Sequence, residues 1–393
     1  MGRGQLIRSF RDVERLAHDR DTPIVTLFSG GLDSSYLLYR LAGMGFSAIH
    51  AVSVDIGGDD DVHKRRHIAE GLGAELHMVD ARSDFVESFV APALSAHSVY
   101  LDTHPVSSSL SRPLIARVAT EVAQAVDAKA ILHTANRSQN TLRRLNGALE
   151  QLGFGGDYGS PYDVEPVDRV KKMAELKSAG LGVLGERSES GDSNLWCREF
   201  ESGILDDPES HEVPSSYYQW TALREGVPAE VSLRFASGRP VALGDEELPL
   251  GEIVERLNWQ VGAFGIGRYT GLEHLKGGQK VLEIREMPAA ALLLRSRRHL
   301  ETATLQAETI REKLGMEQIW VREALEGRWF GELRAACQAF IDVCAERVSG
   351  TVRWKLSPGG AETTAIVADD PLYLRDREDW ETRSIMDEVA RLR

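Results

Sequence analysis

The first third of the chain switches repeatedly between two hydrophobic patterns. Short apolar runs rich in β-branched residues are typical of buried strands, whereas apolar residues at every third or fourth position are typical of helices. Strands that alternate with helical crossovers predict a parallel, doubly wound sheet and therefore an α/β fold. The predicted strands are residues 24–28, 48–54, 75–79 and 129–133, and the predicted helices are residues 36–41, 63–72, 84–90 and 112–126.

The pattern changes from about residue 183 onward. Two pairs of alternating runs, residues 231–235 with 240–243 and residues 352–356 with 363–367, predict hairpins, and residues 250–261 predict a helix. We therefore expect an α/β domain over residues 1–182, a second, α+β domain over 183–368 and a charged, helical C-terminal tail over 369–393.

One further periodic stretch lies near the end of the second domain. Its apolar residues, at spacings of mostly three and four, are Leu333, Cys337, Phe340, Ile341, Cys344 and Val348. Such a helical face packs either in the core or against another subunit, and the core is the more common use. We expect these side chains to belong to the core.

Composition narrows the function classes. With 393 residues, 42% of them apolar, the chain is long enough for two domains with their own cores. Its 46 Lys and Arg against 60 Asp and Glu give a net charge of −14, which argues against nucleic acid and anionic membranes as partners. The three cysteines form no CxxC pair. Since no apolar run has the length of a signal peptide or a membrane span, we expect a cytoplasmic protein that binds small molecules.

The segment directly after the first predicted strand carries the strongest chemical signal. Its residues are Phe28, Ser29, Gly30, Gly31, Leu32, Asp33, Ser34 and Ser35. Adjacent glycines let the backbone approach an anion, while hydroxyls, N–H groups and the positive end of the following helix supply donors. The segment fits neither GxxxxGK[ST] nor GxGxxG. A glycine-rich turn with a helix cap is the plain alternative, but the position after a buried strand favours a pyrophosphate cradle.

The order SGG-x-D-S resembles the PP-loop ATP pyrophosphatases. Those enzymes split ATP into AMP and pyrophosphate while they activate a carbonyl oxygen as its adenylate, so the resemblance implies ATP and Mg²⁺ as cofactors. It implies that Asp33 lies near the magnesium pyrophosphate and that Ser29 and Asp33 are catalytic. It also implies that Leu27, Val54, His133 and Thr134 belong to the ATP site together with residues 28–35.

Longer segments resemble one branch of these enzymes, the argininosuccinate synthases. The similar segments are residues 54–57, 108–117, 194–208, 257–268 and 286–290, with Glu273 between the last two. The resemblance implies a PP-loop ATP-binding domain followed by a synthetase domain. It implies that the ureido oxygen of citrulline attacks the α-phosphate of ATP, that pyrophosphate leaves, and that the amine of aspartate displaces AMP. Such catalysis rests on positioning and charge stabilisation.

The same resemblance implies a set of contacts to amino-acid-like substrates. The residues at the family's contact positions are Ser108, Ser109, Asn140, Arg144, Ser190 and Glu273. Arg144 can hold a carboxylate with two hydrogen bonds, and Glu273 can hold an ammonium group. A solvated surface side chain is the alternative for any one of them and the favoured one for a lone Arg or Glu, whereas their agreement as a set favours a pocket.

One loop departs from the family pattern. Where the family has His-Gly-x-Thr-Gly-Lys-Gly-Asn-Asp-Gln-Val-Arg, residues 133–144 read HTANRSQNTLRR. Its glycines, lysine and aspartate are gone, so we expect altered contacts to the triphosphate and, through Asn136 and Thr141, to aspartate. Arg137 and Arg143 are candidates to replace the charge of the lysine, but their positions differ, so a changed phosphate geometry is an equal alternative.

Three further substrate positions differ in chemistry. His104 and Arg285 stand where the family has Tyr, and Glu199 stands where it has Ser. A carboxylate and a guanidinium each change the local charge by about one unit, so we expect a substrate other than citrulline unless Glu199 and Arg285 pair with each other. The family also implies a tetramer, which the short tail weakens; a homo-oligomer is still expected.

Three functions remain open. The chain is an argininosuccinate synthase, a diverged ligase that joins another carbonyl compound to aspartate or another amine, or a nucleotide-binding protein without catalysis. The changed loop favours the diverged ligase, and the intact residues 29–35 argue against loss of catalysis. A PP-loop enzyme acting on RNA is disfavoured by the net charge.

Overall fold

The computed structural model describes residues 4–16, 20–58, 61–181, 190–201, 203–275 and 277–391. The strands of the first half are β1 (Leu6–Ile7), β2 (Ile24–Leu27), β3 (Ile49–Asp55), β4 (Glu75–Asp80), β5 (Val99–Tyr100), β6 (His104–Pro105), β7 (Ala130–Leu132) and β8 (Asp157–Gly159). Its helices are α1 (Phe10–Leu16), α2 (Leu32–Gly43), α3 (Val62–Gly71), α4 (Arg82–Phe85), α5 (Ala91–Ser95), α6 (Ser108–Ala125), α7 (Asn140–Gln151) and α8 (Arg169–Ser178). A π-helical turn, Val86–Val90, joins α4 to α5.

The first half is built around a six-stranded parallel sheet of order β1-β8-β7-β2-β3-β4. Consecutive residues of its strands pack in different apolar clusters, one on each face of the sheet. Val25 and Val52 belong to one cluster, and Ile24 and Ala51 belong to the other. Both faces are therefore covered, which confirms the predicted α/β, doubly wound architecture. The chain leaves β2 toward β3 and β4 on one side and later returns to β7 and β8 on the other, so the winding reverses between β2 and β7.

Local patterns predicted most of these elements, and three differences matter for the site. Helix α6 begins at Ser108, four residues before the predicted start, and Pro113 lies inside it. Helix α7 begins at Asn140, within the segment that was predicted to be a loop. Helix α8 was not predicted, although Asp168 caps it by accepting hydrogen bonds from the N–H groups of Val170 and Lys171.

The described residues of the second half form two antiparallel sheets and five long helices. Its strands are β9 (Ser190–Ser193), β10 (Arg198–Glu201), β11 (Glu230–Ala236), β12 (Arg239–Leu243), β13 (Glu246–Glu247), β14 (Arg268–His274), β15 (Lys280–Glu286), β16 (Gly350–Ser357) and β17 (Gly360–Ala368). Its helices are α9 (Leu250–Gly262), α10 (Pro288–Thr304), α11 (Ala307–Leu325), α12 (Glu332–Ala345) and, in the tail, α13 (Arg377–Arg391). Both predicted hairpins, the predicted helix between them and the predicted helical tail are confirmed.

The two sheets of this half have the orders β14-β15-β10-β9 and β13-β12-β11-β16-β17. The larger apolar cluster runs without interruption from Val25 in the parallel sheet to Ala368 in β17. The halves therefore share a core where they meet, and the division of the chain at residue 182 stays a prediction.

The periodic stretch near the end of the second half is largely core. Cys337, Ile341, Cys344 and Val348 are buried, whereas Leu333 is 47% exposed. Phe340 is also exposed, as are several apolar side chains of α13, a helix with no buried residue. Among the described residues, every helix is too short or too polar to cross a membrane.

Candidate active site

The segment between β2 and α2 forms a turn at the carboxyl end of the parallel sheet. Gly31 is the N-cap of α2, and its N–H donates to Ser29 Oγ over 3.3 Å. The Ser29 and Ser34 hydroxyls lie 3.2 Å apart, and Ser34 Oγ donates to the Gly31 carbonyl over 3.2 Å. The first N–H groups of α2 have no acceptor within the helix, so the turn presents main-chain donors and the positive end of the helix dipole to an anion.

Gly30 adopts a backbone conformation that the turn requires. Its φ of +72° lies in the left-handed region, which other residues adopt only at a cost. A Cβ at this position would lie 2.8 Å from Cγ of Arg65, whose Nη1 donates to Ser53 Oγ over 2.5 Å. The glycine thus permits the left-handed conformation of the turn and avoids a steric clash with Arg65.

Asp33 is held by two residues that the sequence did not single out. Lys172, from α8, donates through Nζ to Asp33 Oδ1 over 2.7 Å, and the Tyr162 hydroxyl donates to the Asp33 carbonyl over 3.0 Å. Lys172 Nζ also lies 4.8 Å from the centre of the Tyr162 ring. Burial, followed by the Asp33 charge, raises the pKa of Tyr162, so the hydroxyl stays a donor. A lysine ammonium group is therefore fixed at the glycine turn.

The loop after β7 uses side chains in place of glycines. Asn136 Oδ1 accepts hydrogen bonds from the N–H and the hydroxyl of Ser138, over 3.0 Å and 2.6 Å, and Gln139 Oε1 accepts from the Asn136 N–H over 3.2 Å. His133 is buried against Asn146, and burial lowers its pKa to about 4, so the ring is neutral near pH 7. Thr134 is half-buried between these turns. Polar side chains therefore make the hydrogen bonds that close this turn.

The two arginines expected to replace the family's lysine are already paired. Arg137 contacts Asp163 at 2.9 Å, and Arg143 contacts Glu326 at 3.2 Å. Each guanidinium is thus held by a carboxylate outside the turn, and its contact with a phosphate stays a prediction. A positive charge beside the glycine turn comes from Lys172.

A cavity of about 410 Å³ gathers most of the predicted substrate residues. The predicted residues that line it are His104, Ser108, Ser109, Asn140, Arg144, Glu273 and Arg285. Helix α11 forms a further wall through Gln318, Val321 and Leu325, which no sequence motif indicated. The first residue of α7 lines the cavity while the loop before it borders the reversal point of the sheet, where open α/β sheets bind ligands.

Arg144 crosses the cavity wall from α7 to the second half of the chain. Its Nη2 donates to Glu273 Oε1 over 2.7 Å, its Nη1 to Ser108 Oγ over 2.9 Å and its Nε to the Leu325 carbonyl over 3.2 Å. Asn140 Nδ2 likewise donates to the His274 carbonyl over 2.9 Å. One side of the guanidinium therefore holds Glu273, and the expected grip on a substrate carboxylate stays a prediction for the N–H groups that remain.

Glu273 is an ionised group despite its burial. Burial opposes ionisation, but the Arg144 charge and hydrogen bonds from Arg144 and Glu283 outweigh it and hold the pKa of Glu273 at about 2. For Glu283 the order is reversed: burial and the negative charge of Glu199 raise its pKa well above the usual range. The cavity thus contains one ion pair, Arg144 with Glu273.

Glu199 and Arg285 face each other across β10 and β15 and form the second ion pair. They are partners in the strand register, and Arg285 Nε lies 3.0 Å from Glu199 Oε2. Arg285 also donates to Glu283 and, over 3.0 Å, to the Pro105 carbonyl, while Ser107 donates to Glu199. The carboxylates raise the pKa of Arg285 against the effect of burial. The pairing that the sequence left open is therefore present, and the two charges cancel.

His104 fits its site because β14 has no side chain at Gly271. A Cβ at 271 would lie 2.5 Å from His104 Nδ1. Burial, and then the Arg285 charge, lower the pKa of His104 to about 3. The neutral imidazole leaves the cavity wall without net charge, as the family's hydroxyl would.

The remaining predicted residues have different surroundings. The buried Ser109 hydroxyl has no hydrogen-bond partner within the part of the chain that the structure describes, although it lines the cavity. Thr141 accepts from Arg112 Nε over 3.4 Å and lies outside the cavity lining, as does Asn136. The Ser190 side chain falls outside the described residues. Leu27 and Val54 pack their side chains on the core, so their place in an ATP site stays a prediction.

Comparisons with known proteins agree with this arrangement. Residues 23–154 match the family model for the argininosuccinate synthase N-terminal HUP domain, and residues 190–391 match that for its C-terminal domain. An argininosuccinate synthase of Rubrobacter xylanophilus is 33% identical over 93% of this chain and 91% of its own length. Relatives of the same name from Pyrococcus furiosus and Symbiobacterium thermophilum are each 33% identical, over 89% and 93% of this chain and 86% and 93% of their own lengths.

Proposed function

Because the chain belongs to the argininosuccinate synthase family, it is an ATP-dependent ligase, and we propose that it joins citrulline to aspartate with release of pyrophosphate and AMP. The observation that carries the proposal is that one cavity is lined by the charged pair of Arg144 and Glu273 and by the Ser109 hydroxyl, which has no hydrogen-bond partner among the described residues. A buried polar atom without a partner fits a ligand that supplies one. An amino acid offers an ammonium to Glu273 and a carboxylate to the N–H groups of Arg144 that the protein leaves over.

The charge balance of the cavity supports citrulline over a charged analogue. Arg285 is paired with Glu199 and with Glu283, whose pKa burial raises, and His104 is neutral. An uncharged ureido group enters such a wall without leaving a buried charge unpaired, whereas a charged side chain would need a counter-ion. This favours argininosuccinate synthase activity over the altered substrate that the sequence alone suggested.

On the nucleotide side, the proposal assigns the phosphates of ATP to the glycine turn at the start of α2. Main-chain N–H groups and the Ser29 and Ser34 hydroxyls bind the pyrophosphate moiety, and Lys172 supplies a positive charge next to it. The half-exposed carboxylate of Asp33 suits Mg²⁺, which when bound would neutralise charge on the leaving pyrophosphate.

The reaction requires positioning more than a nucleophilic side chain. Citrulline's ureido oxygen attacks the α-phosphorus, the bond to the β-phosphate breaks, and the amine of aspartate then displaces AMP from the carbon. Glu273 and Arg144 fix the α-amino acid end of citrulline, so the ureido oxygen is presented to ATP in one orientation. The Arg144 fork is stiffened by its bonds to Ser108 and Leu325.

The second candidate function is a ligase that acts on a carbonyl substrate other than citrulline. It is favoured by Arg285, which lines the cavity at a position where the family has a tyrosine. Arg285 has further N–H groups besides those that contact Glu199, Glu283 and Pro105. A carbonyl substrate with an acceptor at that position, other than citrulline, would use them. The substituted loop at residues 134–139 leaves the identity of the amine open in the same way.

The deciding experiment measures pyrophosphate and AMP release from ATP with purified protein. Citrulline plus aspartate is compared with a panel of ureido, carboxamide and carboxylate compounds, each with aspartate, and citrulline is then paired with other amino acids. We expect citrulline plus aspartate to have the highest kcat/KM, in the range of about 10⁴ M⁻¹s⁻¹ or more. An Asp33→Ala protein run in parallel excludes a contaminating ligase.

Three results would contradict parts of the proposal. If a panel compound has a kcat/KM about tenfold higher than that of citrulline, the second candidate function replaces argininosuccinate synthase activity. ADP and phosphate as products would refute cleavage between the α- and β-phosphates. ATP binding without AMP release for any compound of the panel would show that the protein binds the nucleotide without catalysing the reaction.

We also propose a homo-oligomer, assembled through the exposed apolar side chains of the last two helices. Phe340 and Val343 on α12 and Trp380 and Met386 on α13 are all exposed. Light scattering of the purified chain tests this, with Val343→Glu expected to lower the mass if α12 lies in the contact. A monomeric mass for the unchanged chain would contradict the proposal.

A further inference from the structure

Three potential metal ligands converge on the edge of the parallel sheet, away from the active site. His50 lies on β3, and Glu75 and His77 lie on β4, the edge strand next to it. His50 and Glu75 are partners in the register, and His77 follows Glu75 by two residues. Since side chains alternate along a strand, all three point to the same face of the sheet.

The three ligand atoms lie at distances that suit one coordination sphere. His50 Nδ1 lies 3.0 Å from His77 Nε2 and 3.4 Å from Glu75 Oε2, and His77 Nε2 lies 3.7 Å from Glu75 Oε1. A tetrahedral zinc ion with bonds of about 2.0 to 2.1 Å places its ligands roughly 3.3 Å from one another. The observed separations lie on both sides of that value.

Hydrogen bonding alone accounts poorly for this cluster. One bond between the two imidazoles explains their 3.0 Å separation, but the contacts of Glu75 to both rings, at 3.4 Å and 3.7 Å, are long for hydrogen bonds. Glu75 is largely exposed and so has water as an alternative partner, yet its two oxygens face the two rings. A cation between the three groups explains all the distances together.

We propose that His50, Glu75 and His77 bind one zinc ion, with water in the fourth position. Two imidazole nitrogens and one carboxylate oxygen form a donor set that suits zinc better than it suits Mg²⁺ or Ca²⁺. His50 stands five residues before Asp55, the last residue of β3, and therefore roughly 16 Å from the carboxyl edge that carries the glycine turn. The ion would join the edge strand to its neighbour and stabilise the sheet without taking part in the ligase reaction.

The test uses the full chain, freed of metal by chelation and kept free of nucleotide and Mg²⁺. Titration calorimetry with zinc chloride gives stoichiometry and affinity, and thermal unfolding with and without zinc gives the stabilisation. The variants are His77→Gln and Glu75→Gln, with His67→Gln, an exposed histidine of α3, as the matched control. All three cysteines are buried, so thiols do not compete in the folded protein.

We expect one zinc ion per chain and a higher Tm with zinc for the unchanged protein and for His67→Gln. His77→Gln should lose about 100-fold or more in affinity, and Glu75→Gln about tenfold. Unchanged zinc affinity in His77→Gln, or no binding to the unchanged protein at 100 micromolar zinc (a concentration of order 10⁻⁴ M, well above typical site affinities), would overturn the proposal. If His77→Gln fails to fold, cobalt absorption spectra of the unchanged protein and of His50→Gln replace it. Tetrahedral cobalt bands that the unchanged protein shows and His50→Gln lacks support the site. Absence of these bands in the unchanged protein refutes it.

Discussion

The glycine turn and the cavity, to which we assign the phosphates of ATP and the amino-acid substrate, are built from different groups. The turn offers main-chain N–H groups at the start of α2, held by Gly30 and Gly31. The cavity offers side chains whose charges cancel in pairs, such as Arg144 with Glu273. Backbone donors need a local conformation, whereas paired side chains need partners far apart in the sequence. The turn should therefore be sensitive to backbone strain and the cavity to the loss of a partner.

The largest effect is expected from Gly30→Val, which should break the turn. A β-branched residue at φ +72° is strained, and its Cβ would meet Arg65, so we expect turnover to fall by about 10³-fold or more. Gly73→Val is the matched control, since Gly73 has φ +73° but open space around a Cβ. It should lose stability and keep ATP turnover; equal activity in both variants would contradict the assignment of the turn.

The second effect addresses the cavity through Glu273→Gln. The change leaves Arg144, only 3% exposed, without its carboxylate, and removes the group that would hold an ammonium. We expect the KM for citrulline to rise by about 10- to 100-fold while the KM for ATP stays within about threefold. Glu323→Gln, which removes the carboxylate partner of Arg328 outside the cavity lining, is the control and should change both constants little. A rise confined to the KM for ATP would contradict the assignment of citrulline to the cavity and of ATP to the glycine turn.

Lys172→Met tests whether the turn also depends on one distant side chain. Loss of the ammonium next to Asp33 should lower kcat by about tenfold or more, because charge on the leaving pyrophosphate is then less compensated. Lys171→Met, one residue earlier on the exposed face of α8, is the control. Equal rates for the two variants would show that the backbone donors alone suffice.

The smallest effect concerns the pH dependence of stability near the cavity. Burial and the neighbouring Glu199 and Glu273 charges raise the pKa of Glu201 from 4.5 to about 7. The folded protein thus holds a proton that the unfolded chain releases, so this group's contribution to stability is lost as pH rises from about 4.5 to 7. Relative to the unchanged protein, Glu201→Gln should gain about 1 to 4 °C in Tm between pH 5 and pH 8. A constant difference in Tm over that interval would refute the raised pKa.

The same contrast explains what the sequence could predict. The strand, turn and helix around Gly30 follow from local pattern, and so do the hairpins β11–β12 and β16–β17. The cation at the turn could not be predicted, because Lys172 reaches Asp33 across 139 residues of sequence. The wall formed by α11 has no motif of its own, since shape alone brings it to the cavity.

The departures from the family pattern show the limit most clearly. Glu199 and Arg285 read separately suggest a charged pocket, but the register of β10 and β15 places them opposite each other. A sequence gives the two charges and not the register. The substituted loop after β7 is similar: its polar residues look like lost contacts, yet Asn136 and Gln139 make the bonds that shape the turn.

The main-chain donors of the glycine turn also bear on how this site can change over generations. A peptide N–H is present in every residue except proline, so substitutions along the turn leave most donors in place as long as position 30 keeps its left-handed conformation. The cavity has no such protection, because a change at Arg144 leaves Glu273 buried and unpaired until a second change follows. Descendants of this protein should therefore acquire new carbonyl substrates by paired substitutions in the cavity, while the use of ATP is inherited almost unchanged.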